Sequence, residues 1–137
     1  MNEVVGTVNV EGRQLKLVKL PPPQRENLKS WDNVRETLLT WRPRVEAEVV
    51  DLNGLACPIV GDELFLVDEL TSLVLREILS LFYPSPPPEI SASTAIGNVV
   101  GEIERTEGRS LTTEERVFLT LQLVERLSLL VDLGVLR

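Results

Sequence analysis

The sequence predicts an α+β protein: a small antiparallel sheet of two hairpins with two amphipathic helices, followed by a proline linker and a C-terminal helical unit. The prediction depends on β-rich runs divided by glycine turns, apolar residues at helical spacing, and a proline-rich stretch late in the chain. We expect residues 1–83 to form the α+β unit, 84–88 the linker and 89–137 the helical unit. Packing of both units as one domain is left open.

The first hairpin is predicted at the start of the chain. The runs Val4–Val10 and Arg13–Leu20 are rich in β-forming residues, and Glu11-Gly12 between them supplies the turn. The prolines at 21–23 cannot continue the ladder and predict an extended connector.

A helix is predicted to begin after Ser30, which suits an N-cap, and to stop at Pro43. Its apolar side repeats at helical spacing through Trp31, Val34, Leu38 and Trp41. Both tryptophans are interpreted as core anchors. Base stacking is the alternative, because basic residues lie nearby at Arg25, Lys29, Arg42 and Arg44.

The second hairpin is predicted from Arg44–Asp51 and Leu55–Val60, which Asn53-Gly54 joins as a two-residue turn. Pro58 implies that the second of these strands is an edge strand or is interrupted. A short strand at 64–67 and a helix capped by Asp68 follow. The apolar face of that helix consists of Leu70, Val74, Leu75, Ile78, Leu81 and Phe82.

The proline run at 84–88 predicts a semi-rigid, extended linker. After it, a helix capped by Ser91 or Ser93 is predicted, with Gly97 and Gly101 four residues apart, where another backbone can approach closely. Because two glycines lower helix propensity, a strand is the alternative. Gly108 ends the segment.

The closing segment, 111–136, contains the strongest helix signal. Thr112 and Glu115 have capping-box spacing, and Gly134 suits the left-handed position that ends a helix and leaves a short tail. The core-facing arc is predicted to consist of Val117, Leu119, Leu123, Val124, Leu127, Leu130 and Val131.

A second apolar side of this helix carries Phe118, Leu121 and Leu129 among polar residues. One interpretation buries this side within the chain. The other makes it part of a contact with a second copy or a partner protein. On the second interpretation, the partner-binding residues are Phe118, Leu121, Leu129 and Glu125.

The amino-acid composition restricts the kinds of catalytic and metal-binding site that the chain can form. The chain has no histidine and one cysteine, which excludes histidine-based catalysis, an intrachain disulfide and a cysteine-cluster metal site. We therefore expect no catalytic residues, cofactor or metal. No apolar run is long enough to span a membrane and no signal-peptide pattern opens the chain, so a cytoplasmic location is expected.

The net charge of −7 is unevenly distributed. Residues 1–44 hold eight Lys or Arg against five Asp or Glu, whereas residues 45–88 hold one Arg against eight acids. Acidic regions repel phosphate backbones, which disfavours direct nucleic-acid binding outside the basic N-terminal part, and they complement basic protein surfaces. A purely solubilising role for these charges is the alternative.

Two short stretches resemble known families. The segment 51–58, DLNGLACP, resembles the Asp-x-x-Gly-x-x-Cys-Pro motif of TusA-like sulfur carriers. This resemblance implies that Cys57 carries a persulfide, whereas the residue pattern itself indicates a buried small hydrophobic residue. The segment 123–137, LVERLSLLVDLGVLR, is similar to the helix-to-wing passage of winged-helix proteins, which implies a DNA-associated regulator.

The leading functional hypothesis is a non-enzymatic adaptor or regulator that acts by protein–protein contact. Its partner is expected to present a basic surface, as proteins of a nucleic-acid-processing machine such as transcription do. The alternatives are the DNA-associated regulator, a Cys57 sulfur carrier, and a structural subunit of a larger assembly; a homo-oligomer is a further possibility for the partner.

Overall fold

The computed structural model describes residues 3–22, 34–83 and 87–137. The described residues form five strands and four helices, which confirms the α+β class. The strands are β1 (Val4–Val10), β2 (Arg13–Lys19), β3 (Glu48–Leu52), β4 (Leu55–Val60) and β5 (Glu63–Leu66). The helices are α1 (Val34–Thr40), α2 (Glu69–Phe82), α3 (Ala92–Glu107) and α4 (Thr113–Asp132).

The five strands form one mixed sheet in the order β1-β2-β5-β4-β3. The β1–β2, β4–β5 and β3–β4 pairs are antiparallel, but β2 and β5 run parallel from Lys16 opposite Glu63 to Lys19 opposite Leu66. The prediction of a purely antiparallel sheet is therefore wrong. β3 and β4 lie between β2 and β5 in the chain, and β5 then runs beside β2 in the same direction, which joins both hairpins in one sheet.

The predicted hairpin turns at Glu11-Gly12 and Asn53-Gly54 are confirmed. All four residues have positive φ angles, between 50° and 84°, which two-residue hairpin loops of this type require. In each turn the glycine amide donates a hydrogen bond of 3.1 Å to a side-chain oxygen three residues earlier. These local bonds explain why the turn residues alone predicted both hairpins.

β4 lies inside the sheet, but its pairing with β5 is interrupted at Pro58, as the sequence indicated. The β4–β5 ladder contains only the pairs Ile59–Leu64 and Val60–Glu63. Beyond Pro58, the Ala56 amide instead donates a buried hydrogen bond of 3.0 Å to the Ser72 hydroxyl. That bond fastens α2 to the sheet and satisfies a donor that the interrupted ladder leaves unpaired.

Apolar side chains form two clusters because successive residues of β4 point to opposite faces of the sheet. On one face, Cys57 and Ile59 lie among Leu15, Leu64 and Val67, and residues of both edge strands pack against them. On the other face, Ala56 joins a larger cluster built mainly from α2, α3 and α4. Side chains from both sides of the proline run therefore share one core.

The chain after α4 is the short tail that the sequence predicted, and it is part of the core. The Val135 amide donates to the Leu130 carbonyl and the Gly134 amide donates to the Val131 carbonyl, a Schellman arrangement around Gly134, whose φ is 82°. Val135 and Leu136 are then fully buried. Their backbone pairs with residues 44–46, so the predicted strand that begins at Arg44 is split and β3 starts later.

Several sequence predictions concern residues outside the described ranges. Ser30, Trp31, Arg25, Lys29 and residues 84–86 of the proline run belong to this group. Trp41 is half-buried against the larger cluster, in agreement with a core anchor. The α3 segment is helical, which decides against the strand alternative, and Gly108 ends it with a φ of 70°.

Candidate protein-docking surface

The first turn of α4 is fixed by a capping box and an ion pair. The Glu115 amide donates to the Thr112 hydroxyl over 3.2 Å, and the Thr112 amide donates to the Glu115 carboxylate over 3.0 Å. The Arg109 guanidinium donates to both carboxylate oxygens of Glu115, at 2.9 and 2.7 Å. The hydrogen bonds from Arg109, followed by those from Thr112, lower the pKa of Glu115 to about 2.

The N-terminal half of α4 leaves three large apolar side chains exposed. Val117 is 56% exposed, Phe118 65% and Leu121 50%, and we call these three residues the α4 stripe. One of the two interpretations of the sequence placed Phe118 and Leu121 on a contact surface. Val117 was predicted in the core-facing arc, and that prediction is wrong. Single exposed apolar residues are common, whereas three neighbours on one helix form a patch.

Leu129, the third predicted apolar contact residue, is not on this surface. Its side chain is only 5% exposed, because α4 there meets the chain that leaves β2 and the segment between β5 and α2. Together with Leu129, these segments enclose a cleft of about 310 Å³. The cleft is lined by Lys19, Leu20, Pro21, Pro22, Leu66, Val67, Asp68, Thr71 and Arg126. Leu129 therefore fits the interpretation that buries this side of α4 within the chain, whereas Leu121 does not.

Glu125, the fourth predicted contact residue, is partly buried on the same side of α4 as the stripe. Helical spacing also places Glu114 on this side, one turn before Phe118, where it is exposed. The two cations within α4 are paired with carboxylates of other elements. Arg116 bonds Glu104 of α3 over 2.7 Å, and Arg126 bonds Asp68 at the start of α2 over 2.9 Å. Glu114 and Glu125 therefore precede and follow Phe118 and Leu121 on the outer side of α4.

These two ion pairs also shift the pKa values of their carboxyl groups. The pKa of Glu104 is lowered, first by the Leu111 amide, which donates to Glu104 over 2.8 Å, and then by Arg116. Burial by itself raises the pKa of Asp68, but hydrogen bonds from Thr71 and Arg126 outweigh burial and lower it. Both carboxyl groups are therefore held in the charged form beside their arginines.

A groove adjoins the stripe on the inner flank of α4. It has a volume of about 330 Å³ and lies between α1, α3 and α4. Its lining consists of Leu38, Ser93, Ile96, Gly97, Val100, Gly101, Glu104, Arg116 and Thr120. A second cleft of about 240 Å³, formed by the first half of α4 around Val117 and Leu121, shares Arg116 and Thr120 with the groove. The apolar surface therefore continues from the stripe into the groove.

Gly97 and Gly101 form the open floor of this groove. A Cβ atom built on either glycine would meet no atom within 4 Å, so neither residue serves close packing inside the described structure. The spacing of four residues was the only sequence signal for this floor. It predicted a surface for close backbone approach, but it did not predict that Leu38 of α1 would line the same groove.

Cys57 lies inside the sheet, and only 1% of its surface is exposed. Burial raises the pKa of its thiol, whereas nucleophilic sulfur chemistry requires an accessible thiolate. The other motif residues have structural positions, since the Asp51 carboxylate bonds the Gly54 amide and pairs with Arg76 over 2.9 Å. This geometry agrees with the buried-hydrophobe interpretation of the cysteine.

The structure adds little support to the similarity with winged-helix proteins. Where a wing would begin, Leu136 pairs with Val45, which lies far upstream in the chain. Within residues 3–22, 34–83 and 87–137, no group of three or more carboxylates or cysteines is placed to hold a metal ion. No helix of the same described ranges is long and apolar enough to cross a membrane.

Comparison of the chain with protein-family models, with curated proteins and with solved structures gave no match. The functional argument therefore depends on the surface itself.

Proposed function

We propose that this protein is a non-enzymatic adaptor or regulator that binds another protein through the α4 stripe and the groove beside it. The observation that carries the proposal is the exposure of Val117, Phe118 and Leu121 as neighbours on one rigid helix. Burying one such side chain contributes about 1.5 to 3 kcal/mol relative to leaving it in water. A cluster of this kind has the composition of an interface centre.

The exposure is not a general property of the helix. Leu123, Leu127 and Leu130 lie further along α4 and are completely buried. The first turn is held by Thr112 and Glu115, so the exposed half is a capped helix that a partner meets in an ordered state. A rigid anchor lowers the entropy that ordering costs on binding.

The negative charge of the chain supports a basic-surfaced partner. The formal net charge is −7, and Glu114 is exposed beside the stripe, one turn before Phe118. Complementary charge speeds association and selects among partners. A partner that belongs to a nucleic-acid-processing machine would carry such a surface.

The proposal is tested by affinity capture with two matched variants. Val117→Asp places a charge in the stripe, and Val4→Asp makes the same change on β1 at a valine that is 52% exposed. Both variants are first checked for an unchanged circular dichroism spectrum. We expect lysate of the source cells to yield a stoichiometric partner with the wild type and with Val4→Asp, but not with Val117→Asp. Equal capture by all three proteins would contradict docking through the stripe.

A further inference from the structure

We infer that the outer edge of β1 is a second interaction surface, at which two copies of this chain pair antiparallel through residues 6–10 and extend their sheets into one. This surface belongs to the sheet and not to α4, so the inference goes beyond the proposed function and does not depend on it. It depends on the outer main-chain groups of β1, on the side chains of this strand, and on the register that its two ends allow.

The outer main-chain groups of β1 have no partner within the described residues. The sheet order places β2 on one side of β1 and no strand on the other. The Lys16 amide donates to the Asp62 carbonyl over 2.8 Å, so Lys16 directs its main-chain groups toward β5. Thr7, which lies opposite Lys16, therefore directs its own groups away from β2, and Asn9 does the same two residues later. These are the amides and carbonyls that an added strand would bind.

The side chains of β1 do not protect this edge. Residues 4–10 include no charged residue and no proline, both of which natural proteins use to keep edge strands from pairing. The opposite edge strand, β3, carries Glu48 and Asp51, which form ion pairs with Arg13 and Arg76. β1 is therefore the edge of this sheet that is open to another strand.

The regular part of β1 is short and has a defined midpoint. The ladder with β2 is irregular between Val4 and Gly6, where a bulge bends the strand. The hairpin turn ends the strand on the other side. The regular segment is therefore 6–10, with Val8 at its centre.

A twofold axis at Val8 makes this segment complementary to itself. Thr7 of each copy then lies opposite Asn9 of the other, and the two pairs form four main-chain hydrogen bonds. On one face the two Val8 side chains meet, beside Val10, and both valines pack against the apolar cluster around Cys57. On the other face the exposed polar side chains of Thr7 and Asn9 meet. A second copy therefore supplies the strand that this edge fits.

The charges of the chain agree with this arrangement. β1 belongs to the least acidic part of the sequence, since residues 1–44 hold eight Lys or Arg against five acids, while residues 45–88 hold one Arg against eight. In a register centred on Thr7, Glu3 of one copy would face Glu11 of the other. The register centred on Val8 offsets these carboxylates by two residues, which reduces their repulsion.

Sedimentation velocity of the full chain over a concentration series tests the inference. A pairing of one short strand is a small interface, so we expect monomer at about 10 µM and a shift toward the dimer at about 500 µM. Thr7→Pro removes an outward amide but leaves the ladder between β1 and β2, and it should abolish the shift. Thr7→Ala keeps the amide and should change the shift little. The circular dichroism spectra of both variants are first compared with that of the wild type.

Disulfide cross-linking tests the register and does not depend on how proline affects folding. Val8→Cys places two thiols at the twofold axis, in a pair whose Cα atoms are about 4.5 Å apart. Thr7→Cys places them diagonally, about 7 to 8 Å apart, where a disulfide requires movement of the backbone. Diamide oxidises two thiols to a disulfide by accepting their two hydrogen atoms. We expect a linked dimer from Val8→Cys, little from Thr7→Cys, and none from the wild type, whose Cys57 is only 1% exposed.

Three results would overturn the inference. The first is a wild type that stays monomeric at about 500 µM. The second is an association that Thr7→Pro leaves intact; if Val117→Asp abolishes it, the second copy occupies the α4 stripe and not β1. The third is cross-linking of Thr7→Cys as readily as of Val8→Cys. Affinity capture that depends on Val117 tests the proposed function separately, so either idea can fail alone.

Discussion

The two halves of α4 contain the same kinds of apolar residue, but they have opposite surroundings. In the C-terminal half, Leu123, Leu127 and Leu130 are completely buried, and even Leu129 on the outer side is covered. In the N-terminal half, Phe118 and Leu121 occupy the same outer side and are at least half exposed. Exposure along this helix therefore depends on which neighbouring segments reach it, and not on hydrophobic periodicity.

Different segments of the chain contact the two halves of α4. The buried half meets the chain that leaves β2, the start of α2 through Asp68, and its own tail, which folds back to residues 44–46. The exposed half is held to α3 through the pair of Arg116 with Glu104 and through its capped first turn. One half is thus stabilised mainly by apolar packing, while polar contacts at the surface fix the other half.

The largest expected effect comes from truncating equivalent leucines in the two halves. Leu129→Ala removes a buried side chain and should lower the free energy of unfolding by about 2 to 4 kcal/mol. Leu121→Ala removes a half-exposed side chain and should change the free energy of unfolding by no more than about 0.5 kcal/mol. Urea unfolding monitored by circular dichroism measures both values. Similar losses would show that the stripe is part of the core and would remove the basis for docking.

A smaller effect is expected at Asp68, which joins the buried half of α4 to α2. Its carboxylate accepts a hydrogen bond from the Thr71 amide over 2.7 Å as the N-cap of α2 and also pairs with Arg126. Asp68→Ala removes both contacts and should lower the free energy of unfolding, measured with urea, by about 1 to 2 kcal/mol. Asp68→Asn keeps a capping oxygen and should cost less. If both variants lose the same stability, the ion pair and not the cap is the main contribution.

The smallest effect on stability is expected when the pH is lowered and Glu115, in the exposed N-terminal half of α4, becomes protonated. The pKa of Glu115 is about 2 in the folded chain, below its ordinary value of 4.5. Its contribution to stability is therefore present above pH 4.5 and is lost as the pH falls toward 2. Hydrogen exchange of the first α4 amides should speed up over this range. Glu104 and Asp68 also have lowered pKa values, so Glu115→Gln is the control that isolates Glu115. An unchanged pH dependence in Glu115→Gln would contradict the assignment.

Local patterns in the sequence predicted much of the fold. The turn pairs Glu11-Gly12 and Asn53-Gly54 adopt positive φ angles, which the two glycines and Asn53 favour by residue type, although Glu11 does not. Thr112 and Glu115 form the capping box that their spacing indicates, and Asp68 caps α2. Each of these features depends on hydrogen bonds between residues three positions apart, so no distant part of the chain was needed to predict it.

Predictions that needed distant contacts were less successful. The parallel pairing of β2 with β5 joins segments more than forty residues apart, and no local pattern specifies it. Val117 was assigned to the wrong environment, and two interpretations stayed open for Leu129, because helical periodicity sorts residues by angle alone. Position along the helix axis decided both cases, since neighbours cover one end of α4 and leave the other end open.

The sequence by itself therefore determined the α+β class, the hairpin turns, the helix caps and the presence of apolar residues on two sides of α4. Hydrogen bonds and rotamer preferences within a few residues are sufficient for these features. The tertiary structure alone decided that the sheet is mixed, that the tail is buried and that Phe118 and Leu121, but not Leu129, reach solvent. Those outcomes depend on which distant segments displace water from a side chain, and a local pattern contains no information about them.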